Sequence, residues 1–293
     1  MVHLHASVII PTFRDWARLQ TCLNALAAQT LPQDAFEVII ANNDPATPLP
    51  DNFAIPQNAR IIDVIEPGSY AARNAALQIA EGPILAFTDA DCIPDPQWLT
   101  EAIAFFDAQP EIQRIAGSIH LFVEDGIWTA AALYDRTYML RQDKFVSNGK
   151  AATANAFMRR EVFDSVGPFD PKLLTGGDHE WSMRAVQAGY ALGYCPAAAV
   201  RHPARSRFTQ LLRKARRFAG GAIASKRAKG QRIILPHFDN LLFPIRRGVL
   251  LLRSDDLTLW QAIRVWAVLY AIRIAIVGEQ VRLTVFRGEA ERR

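Results

Sequence analysis

The chain has 293 residues, half of them hydrophobic, so it can bury one large core or a core with an appended segment. It has three cysteines, Cys22, Cys92 and Cys195, and no CxxC motif. An odd number of widely spaced cysteines argues against a disulfide framework and against a cysteine zinc site. The first residues lack a basic segment followed by a long apolar run, so no secretory signal is predicted. We therefore expect a cytoplasmic protein.

The formal net charge of +4 conceals two parts of opposite charge. Residues 1–200 carry 13 Lys and Arg against 23 Asp and Glu, whereas residues 201–293 carry 20 against 6. The basic part indicates an anionic partner such as a phospholipid surface, a diphosphate or a nucleic acid, and a solvated basic face is the plain alternative. Between residues 205 and 230 only Phe208 and Phe218 are aromatic, which offers little stacking surface and disfavours nucleic acid.

The first hundred residues alternate short apolar runs with amphipathic segments, as βαβ units around a largely parallel sheet do. Asp15 is the predicted N-cap of a first helix, and residues 69–80 form a second. The predicted strands are Ala6–Ile10, Glu37–Ile40, Arg60–Ile65 and Ile84–Phe87. Ligands of such sheets bind beyond the carboxyl ends of the strands.

Polar residues follow two of these strands at that edge. Asn42, Asn43 and Asp44 follow the second strand, and Asp89 and Asp91 follow the fourth. Two carboxylates separated by one residue can share a hard cation such as Mg²⁺ or Mn²⁺, which bridges to phosphates. A turn that leads into the next helix is the alternative, because an Asp-x-Asp pair alone is a weak motif.

Further strands are predicted at 113–123 and 153–158, and further helices at 128–141 and 178–188. From about Arg205 the chain mixes basic and apolar residues at helical spacing, with breaks near Gly230, Pro236 and Pro244. The last predicted helix, 257–277, carries Arg264 and Arg273, and each charge would cost about 2.5–3.5 kcal/mol at a bilayer centre. We expect an interfacial or packed helix there, and two domains, 1–205 and 206–293.

Several linked motifs resemble those of the family 2 glycosyltransferases, in the same order and spacing. They are ASVIIPTF (6–13), the 37–44 strand and loop, Ala72-Arg73-Asn74, FTDADCIPDPQWL (87–99), ATANAFMRREVFDSVGPFD (152–170), GGDHEW (176–181) and Val200-Arg201-His202. The resemblance covers about residues 6–205. It implies an α/β GT-A fold, with a mostly parallel, Rossmann-like sheet flanked by helices, here followed by a basic helical extension.

The resemblance also implies roles for individual residues on the donor side. A nucleoside diphosphate sugar, UDP-sugar first, would contact Pro11, Thr12, Asn42, Asn43, Asp44, Arg73 and Asp89. Asp89, Asp91 and His202 would hold Mn²⁺ or Mg²⁺. The loop here is Asn-Asn-Asp-Pro instead of the family's frequent Asp-Asp-Gly-Ser, which leaves the identity of the nucleotide open.

On the acceptor side, the resemblance makes Asp178 the general base of an inverting transfer, with Glu180 as the second choice. Gly177 stands where the family motif usually has Glu. Asn155, Gly177, Glu180 and Trp181 are the expected acceptor-side residues. The base can also cap the helix that follows it.

The acceptor is expected to be a glycan, a lipid-linked sugar or a small molecule. Gln210-x-x-Arg213 is followed by Lys214 and not by the Trp of processive synthases, so a non-processive enzyme is predicted. Arg213, Lys214, Arg216 and Arg217 would bind an anionic acceptor or lipid head groups at the cytoplasmic face of the inner membrane. Packing of the C-terminal helices on the domain or in a homodimer is the alternative.

A nucleotidyltransferase is the alternative enzyme, although the segment after the first strand lacks the Gly-rich basic loop that it needs.

Overall fold

Within the described residues, eight strands form one sheet in the order β3-β2-β1-β4-β7-β6-β8-β5. The computed structural model describes residues 4–173, 175–228, 241–242, 244–254 and 256–285, and only the backbone of 224–228. The strands are β1 (Ala6–Thr12), β2 (Phe36–Asn42), β3 (Ala59–Asp63), β4 (Ile84–Thr88), β5 (Ile93–Pro94), β6 (Arg114–Phe122), β7 (Asn155–Arg159) and β8 (Leu192–Pro203). The predicted breaks at Gly230 and Pro236 lie outside the described residues.

The first four strands are parallel, and β1 lies between β2 and β4. Its residues from Ala6 to Ile10 are fully buried, as expected of a strand that is covered on both faces. The register pairs Thr12 with Asn42, and Asn42 with Asp63, so these strands end at one level. The polar residues after β1, β2 and β4 therefore lie along one edge of the sheet, as predicted.

The other half of the sheet is mixed. Strand β7 runs opposite to β4, with Asn155 beside Thr88, and the pairs β6–β7 and β5–β8 are also antiparallel. The α/β fold class is confirmed, and β6 and β8 run in the same direction, because hydrogen bonds connect Arg114 with Ala191 and Phe122 with Ala204. Apolar runs of this kind mark buried strands without fixing the direction in which they pair.

Helices precede and follow the strands close to the predicted positions. They are α1 (Trp16–Ala27), α2 (Ser69–Ile79), α3 (Trp98–Ala108), α4 (Ala130–Tyr138), α5 (Gln142–Val146), α6 (Arg160–Val166), α7 (Gly177–Gln187), α8 (Phe208–Ala228), α9 (Ile245–Leu252) and α10 (Leu259–Thr284). Helix α4 is shorter than the predicted 128–141. Thr129 caps its first turn by accepting from the Ala132 amide, and Leu140, in a left-handed conformation, lies just beyond its end.

The described chain divides into two compact units. The first contains residues up to Leu121 together with 141–172 and 177–203. The second contains 122–140, the short segment 173–176 and the chain from Ala204 onward. The chain passes from the first unit to the second after Pro203, and the segment that holds α4 also belongs to the second unit.

The C-terminal unit is built around α10. Its buried residues Ala262, Val265, Leu269 and Ile272 recur every three or four positions and pack into one core with residues of α4, α8 and α9. By length and composition α10 is the one described helix long and apolar enough to cross a membrane. One face of α10 packs in this core, and Arg264 and Arg273 lie within its length.

Candidate active site

A cavity of about 290 Å³ lies at the carboxyl edge of the parallel strands. Its walls come from the ends of β1 and β4, the loop after β2 and the first turns of α2. The lining residues are Pro11, Thr12, Phe13, Asp15, Asn43, Ser69, Arg73, Asp89, Ala90 and Asp91. Six of these were predicted from the sequence to lie on the donor side or at the metal site.

Two buried polar atoms beside this cavity have no protein partner. The Thr12 hydroxyl and Nε of Arg73 are both inaccessible to solvent and accept or donate no hydrogen bond within the described residues. Arg73 is only 3% exposed, and its Nη2 forms an ion pair with Asp89 while its Nη1 donates to the carbonyl oxygen of Ser69. Buried polar atoms are rarely left unsatisfied in proteins, so this wall has the chemistry of a binding surface for a polar, anionic ligand.

Helix α2 points its N-terminus at the same cavity. Ser69 lines the cavity, and the helix starts after Gly68, whose φ of 123° favours glycine. Asn43 fixes this start, because its Oδ1 accepts from the Gly68 amide at 2.6 Å and its Nδ2 donates to the carbonyl oxygens of Val64 and Glu66. The first amides of a helix are unpaired and attract anions.

Asn42 and Asp44 stabilise the loop behind this wall. Asn42 is buried, donates to Asp63 at 2.8 Å and accepts from the Asp44 amide. The Asp44 carboxylate pairs with Arg14 and accepts from Thr47. Neither side chain lines the cavity, so the structure gives both of them a role in shaping the loop and leaves Asn43 as the predicted loop residue that reaches it.

Asp91 and His202 form the candidate metal site. Nε2 of His202 lies 3.7 Å from Oδ1 of Asp91, and its Nδ1 lies 2.8 Å from the carbonyl oxygen of Pro203. A carbonyl oxygen can only accept, so Nδ1 donates this hydrogen bond and Nε2 is the ring nitrogen that faces the Asp91 carboxylate. An imidazole nitrogen and a carboxylate oxygen at this distance can serve as two ligands of one cation.

The Cys92 thiol is within 4.8 Å of these ligand atoms but does not suit the site. Its hydrogen is directed to the carbonyl oxygen of Ala154, whereas a cysteine that binds a metal does so as the thiolate. The donor set is therefore oxygen and imidazole, which suits Mn²⁺ or Mg²⁺ beside phosphate better than a thiolate-loving metal.

We expect His202→Ala to weaken Mn²⁺ affinity by about tenfold or more while the metal-free protein stays folded. The reason is that an imidazole ligand is lost at the end of β8 while the apolar core of the sheet is unchanged. Calorimetric titration of Mn²⁺ measures the affinity, and His120→Ala, which removes an exposed histidine of β6, is the matched control. Unchanged Mn²⁺ affinity together with a large loss of metal-free thermal stability would assign His202 a structural role.

Asp178 lies in the first turn of α7 and contacts Tyr70 of α2. Its Oδ1 accepts from the Tyr70 hydroxyl at 3.3 Å and from the His179 amide at 2.9 Å. Among the described residues, Oδ2 accepts no hydrogen bond. Asp178 does not line the 290 Å³ cavity. Its partner Tyr70 lies on α2 between Ser69 and Arg73, and both of these residues line the cavity. One carboxylate oxygen of Asp178 is thus anchored while the other is available to accept a proton.

The predicted acceptor-side residues have different surroundings from those expected. Asn155 is completely buried, and its amide bonds to Trp98 and to the carbonyl oxygens of Ser118 and Ala198. Trp181 is 2% exposed and donates to the carbonyl oxygen of Gly167. Both side chains therefore belong to the packed interior, and their acceptor-side assignment stays a prediction.

Glu180 and Gly177 also have structural partners. The Glu180 carboxylate pairs with Arg184 one helical turn later at 3.0 Å, so it is held along α7. The Gly177 amide donates to the Tyr70 hydroxyl at 2.9 Å. Phe13, Asp15, Ser69 and Tyr70 were not predicted as site residues, although the first three line the cavity. The position of Ser69 directly after Gly68, at a helix start, is the signal that would have found Ser69.

Comparison with known proteins places this site in context. The family model for glycosyl transferase family 2 matches residues 7–167. Glycosyltransferase AglE of Haloferax volcanii is 36% identical over 223 residues, which cover 74% of this chain and 72% of that protein.

Two solved structures resemble the fold. The mannosyltransferase PcManGT from Pyrobaculum calidifontis, solved with GDP-Man and Mn²⁺, has a TM-score of 0.62 at 18% identity and covers 95% of this chain and 87% of its own. TarS 1-349 of Staphylococcus aureus, solved with UDP-GlcNAc, has a TM-score of 0.53 at 16% identity and covers 98% and 93%. At these identities the likeness concerns the fold alone.

Proposed function

Because this chain belongs to glycosyl transferase family 2 and is a glycosyltransferase, we propose that it transfers a sugar from a nucleoside diphosphate to an acceptor hydroxyl. The donor would occupy the 290 Å³ cavity, and Asp178 would act as the base. The observation that carries the proposal is the convergence of Thr12, Arg73, Asp89 and Asp91 on this one cavity. Membership of the family excludes the nucleotidyltransferase alternative.

Donor binding would use the polar groups of the cavity wall. The diphosphate is matched by the N-terminus of α2 and by the buried Arg73, and Thr12 lines the part of the wall formed by the end of β1. A UDP-sugar is our first choice of donor, which the TarS complex with UDP-GlcNAc supports, and the GDP-Man complex of PcManGT makes a GDP-sugar the second.

Asp91 and His202 would hold a divalent cation, with Asp89 beside them. A bound Mn²⁺ or Mg²⁺ neutralises charge on a departing diphosphate. The Arg73 guanidinium, which the Asp89 carboxylate holds in place, would also stabilise the negative charge of the departing diphosphate. The chain's own residues therefore supply positive charge and helix amides where negative charge develops.

The chemical step would be an in-line displacement that inverts the anomeric centre. The acceptor oxygen forms a bond to the anomeric carbon as the bond from that carbon to the diphosphate oxygen breaks, and the electron pair leaves with the nucleoside diphosphate. The acceptor proton passes to Oδ2 of Asp178. Anchoring of Oδ1 by two donors fixes the orientation of the accepting oxygen.

A binding panel tests the donor assignment. At a concentration of 100 times Kd, a ligand of the folded state stabilises it by about 2.7 kcal/mol. We expect UDP or GDP with Mn²⁺ to raise the melting temperature clearly, and inorganic phosphate to leave it nearly unchanged. Equal, negligible shifts with UDP, GDP and dTDP in the presence of Mn²⁺ would contradict a nucleoside diphosphate site.

For the acceptor we propose a glycan or lipid-linked molecule, met at the cytoplasmic face of the membrane. In the C-terminal unit, Leu242, Ile245, Leu250, Leu252, Leu259 and Trp260 are each more than half exposed, and we call them the apolar rim. Arg246, Arg247 and Arg253 are exposed beside it on α9 and after its end, and α8 exposes Arg213 and Arg216. Apolar side chains among basic ones fit an anionic lipid surface, to which each nearby Lys or Arg contributes about 1 kcal/mol.

We expect the full chain to float with anionic vesicles in a density gradient, and the flotation to weaken at high salt. The double variant Leu250→Ser/Trp260→Ser should lose most of the binding, because two large side chains of the apolar rim are removed. The matched control is Ile55→Ser/Ile65→Ser, which removes exposed isoleucines of the first unit. If the wild type floats on neither anionic nor neutral vesicles and light scattering gives a dimer, the apolar rim belongs to a homodimer interface.

A further inference from the structure

We propose that Tyr70 is a positioning residue that aligns the Asp178 carboxylate for proton transfer and whose ring takes the space that a side chain at residue 177 would need. The inference rests on the role of Asp178 in the proposed function. Helix α2 would then do two things: it lines the donor cavity, and through Tyr70 it orients the base.

The hydrogen bonds of Tyr70 run in one direction. Its hydroxyl accepts from the Gly177 amide at 2.9 Å, so the single hydroxyl hydrogen is directed to Oδ1 of Asp178 at 3.3 Å. Burial, followed by the charge of Asp178, raises the pKa of Tyr70, and the phenol keeps that hydrogen. Tyr70 is therefore a constant donor to the carboxylate.

The ring of Tyr70 is held as firmly as its hydroxyl. It is 6% exposed and stacks on Phe169, with ring centroids 5.8 Å apart and planes 27° apart. Phe169 is itself 1% exposed and contacts Phe87, Phe163 and Trp181. A ring packed on a buried aromatic cluster cannot move aside cheaply, because the cluster is close-packed.

This packing explains why residue 177 is glycine. A Cβ placed on Gly177 would lie 2.7 Å from Cε2 and 2.8 Å from Cζ of Tyr70, well inside contact distance. The family motif usually has glutamate at this position, and a glutamate side chain at residue 177 is incompatible with Tyr70 in its present position. Tyr70 therefore requires glycine at residue 177. The phenol on α2 lies beside the base, in the space that a side chain at residue 177 of α7 would otherwise fill.

Helix α2 connects the base to the donor cavity through adjacent residues. Ser69 lines the cavity, Tyr70 holds Asp178, and the Arg73 guanidinium lies 5.7 Å from the centre of the Tyr70 ring. The residue that holds the base and the residues that line the donor cavity therefore lie within the first two turns of one helix.

A double-mutant cycle tests the inference with the donor that the wild type turns over. Tyr70→Phe keeps the ring and its stacking but removes the hydroxyl, and we expect kcat to fall about tenfold with an unchanged Kd for the nucleoside diphosphate. In the Asp178→Asn background the same change should lower residual turnover less than about twofold, because the base that Tyr70 orients is already absent. Gly177→Ala, which pushes against the ring, should resemble Tyr70→Phe in lowering kcat at unchanged Kd.

Tyr134→Phe, a buried tyrosine of the second unit, controls for the general effect of losing a phenol. Equal fold-losses from Tyr70→Phe in the two backgrounds, or a loss equal to that of Tyr134→Phe, would overturn the positioning role alone. No effect of Asp178→Asn itself would overturn the assignment of the base, and with it the proposed mechanism.

Discussion

Replacing Asp178 with asparagine should lower the rate of sugar transfer by about 10²–10⁴-fold, the usual range for the loss of a general base. Asparagine keeps the size of the side chain and an oxygen that can accept from Tyr70 and the His179 amide, so the local structure should persist. It has no basicity toward an acceptor hydroxyl. Donor affinity should stay within about twofold of the wild type, because Asp178 does not line the donor cavity.

The matched control is Glu180→Gln, two residues further along α7. Its carboxylate is paired with Arg184, so we expect a loss of less than about threefold. Initial rates at saturating donor measure both variants under the same conditions. If Asp178→Asn lost less than threefold and Glu180→Gln lost more, Glu180 would have to be the base.

The second large effect is expected for Asp91→Ala, which should abolish metal-dependent binding of the nucleoside diphosphate. Removal of the carboxylate leaves His202 as the remaining ligand of the pair, and one imidazole replaces neither the charge nor the geometry of the pair. Calorimetric titration of UDP or GDP in the presence of Mn²⁺ measures the loss. Binding in the presence of EDTA should be equally weak for Asp91→Ala and the wild type.

Asp107→Ala removes an exposed carboxylate of α3 and should leave the affinity unchanged. Both variants remove one negative charge, so this control distinguishes the loss of a metal ligand from the effect of net charge on the binding of an anionic ligand. Full-strength binding by Asp91→Ala with Mn²⁺ would remove Asp91 from the metal site, and Asp89 would then have to be tested in its place.

The donor edge of the sheet is the part of the protein that the sequence predicts best. Buried runs such as Ala6–Ile10 mark parallel strands, and the carboxyl ends of parallel strands meet at one edge. Polar residues that directly follow those strands must therefore lie together. Thr12, Asn43, Asp89 and Asp91 accordingly line one cavity.

The acceptor side was less predictable because its residues depend on long-range pairing. Asn155 follows a turn and resembles a site residue in sequence, yet antiparallel pairing of β7 places it in the sheet interior, where it bonds to Trp98 and two carbonyl oxygens. Tyr70 was missed for the opposite reason. Its contact with Asp178, 108 positions later in the chain, leaves no local pattern in the sequence.

The most direct test of the account is the release of nucleoside diphosphate from a panel of UDP-, GDP- and dTDP-sugars, measured with Mn²⁺ and with EDTA. We expect at least one donor to be turned over with Mn²⁺, with strong loss in EDTA, and with Asp91→Ala inactive on the same donor. If every donor is intact after incubation with Mn²⁺ and enzyme, or if Asp91→Ala releases nucleoside diphosphate at the wild-type rate, the proposed donor site is wrong.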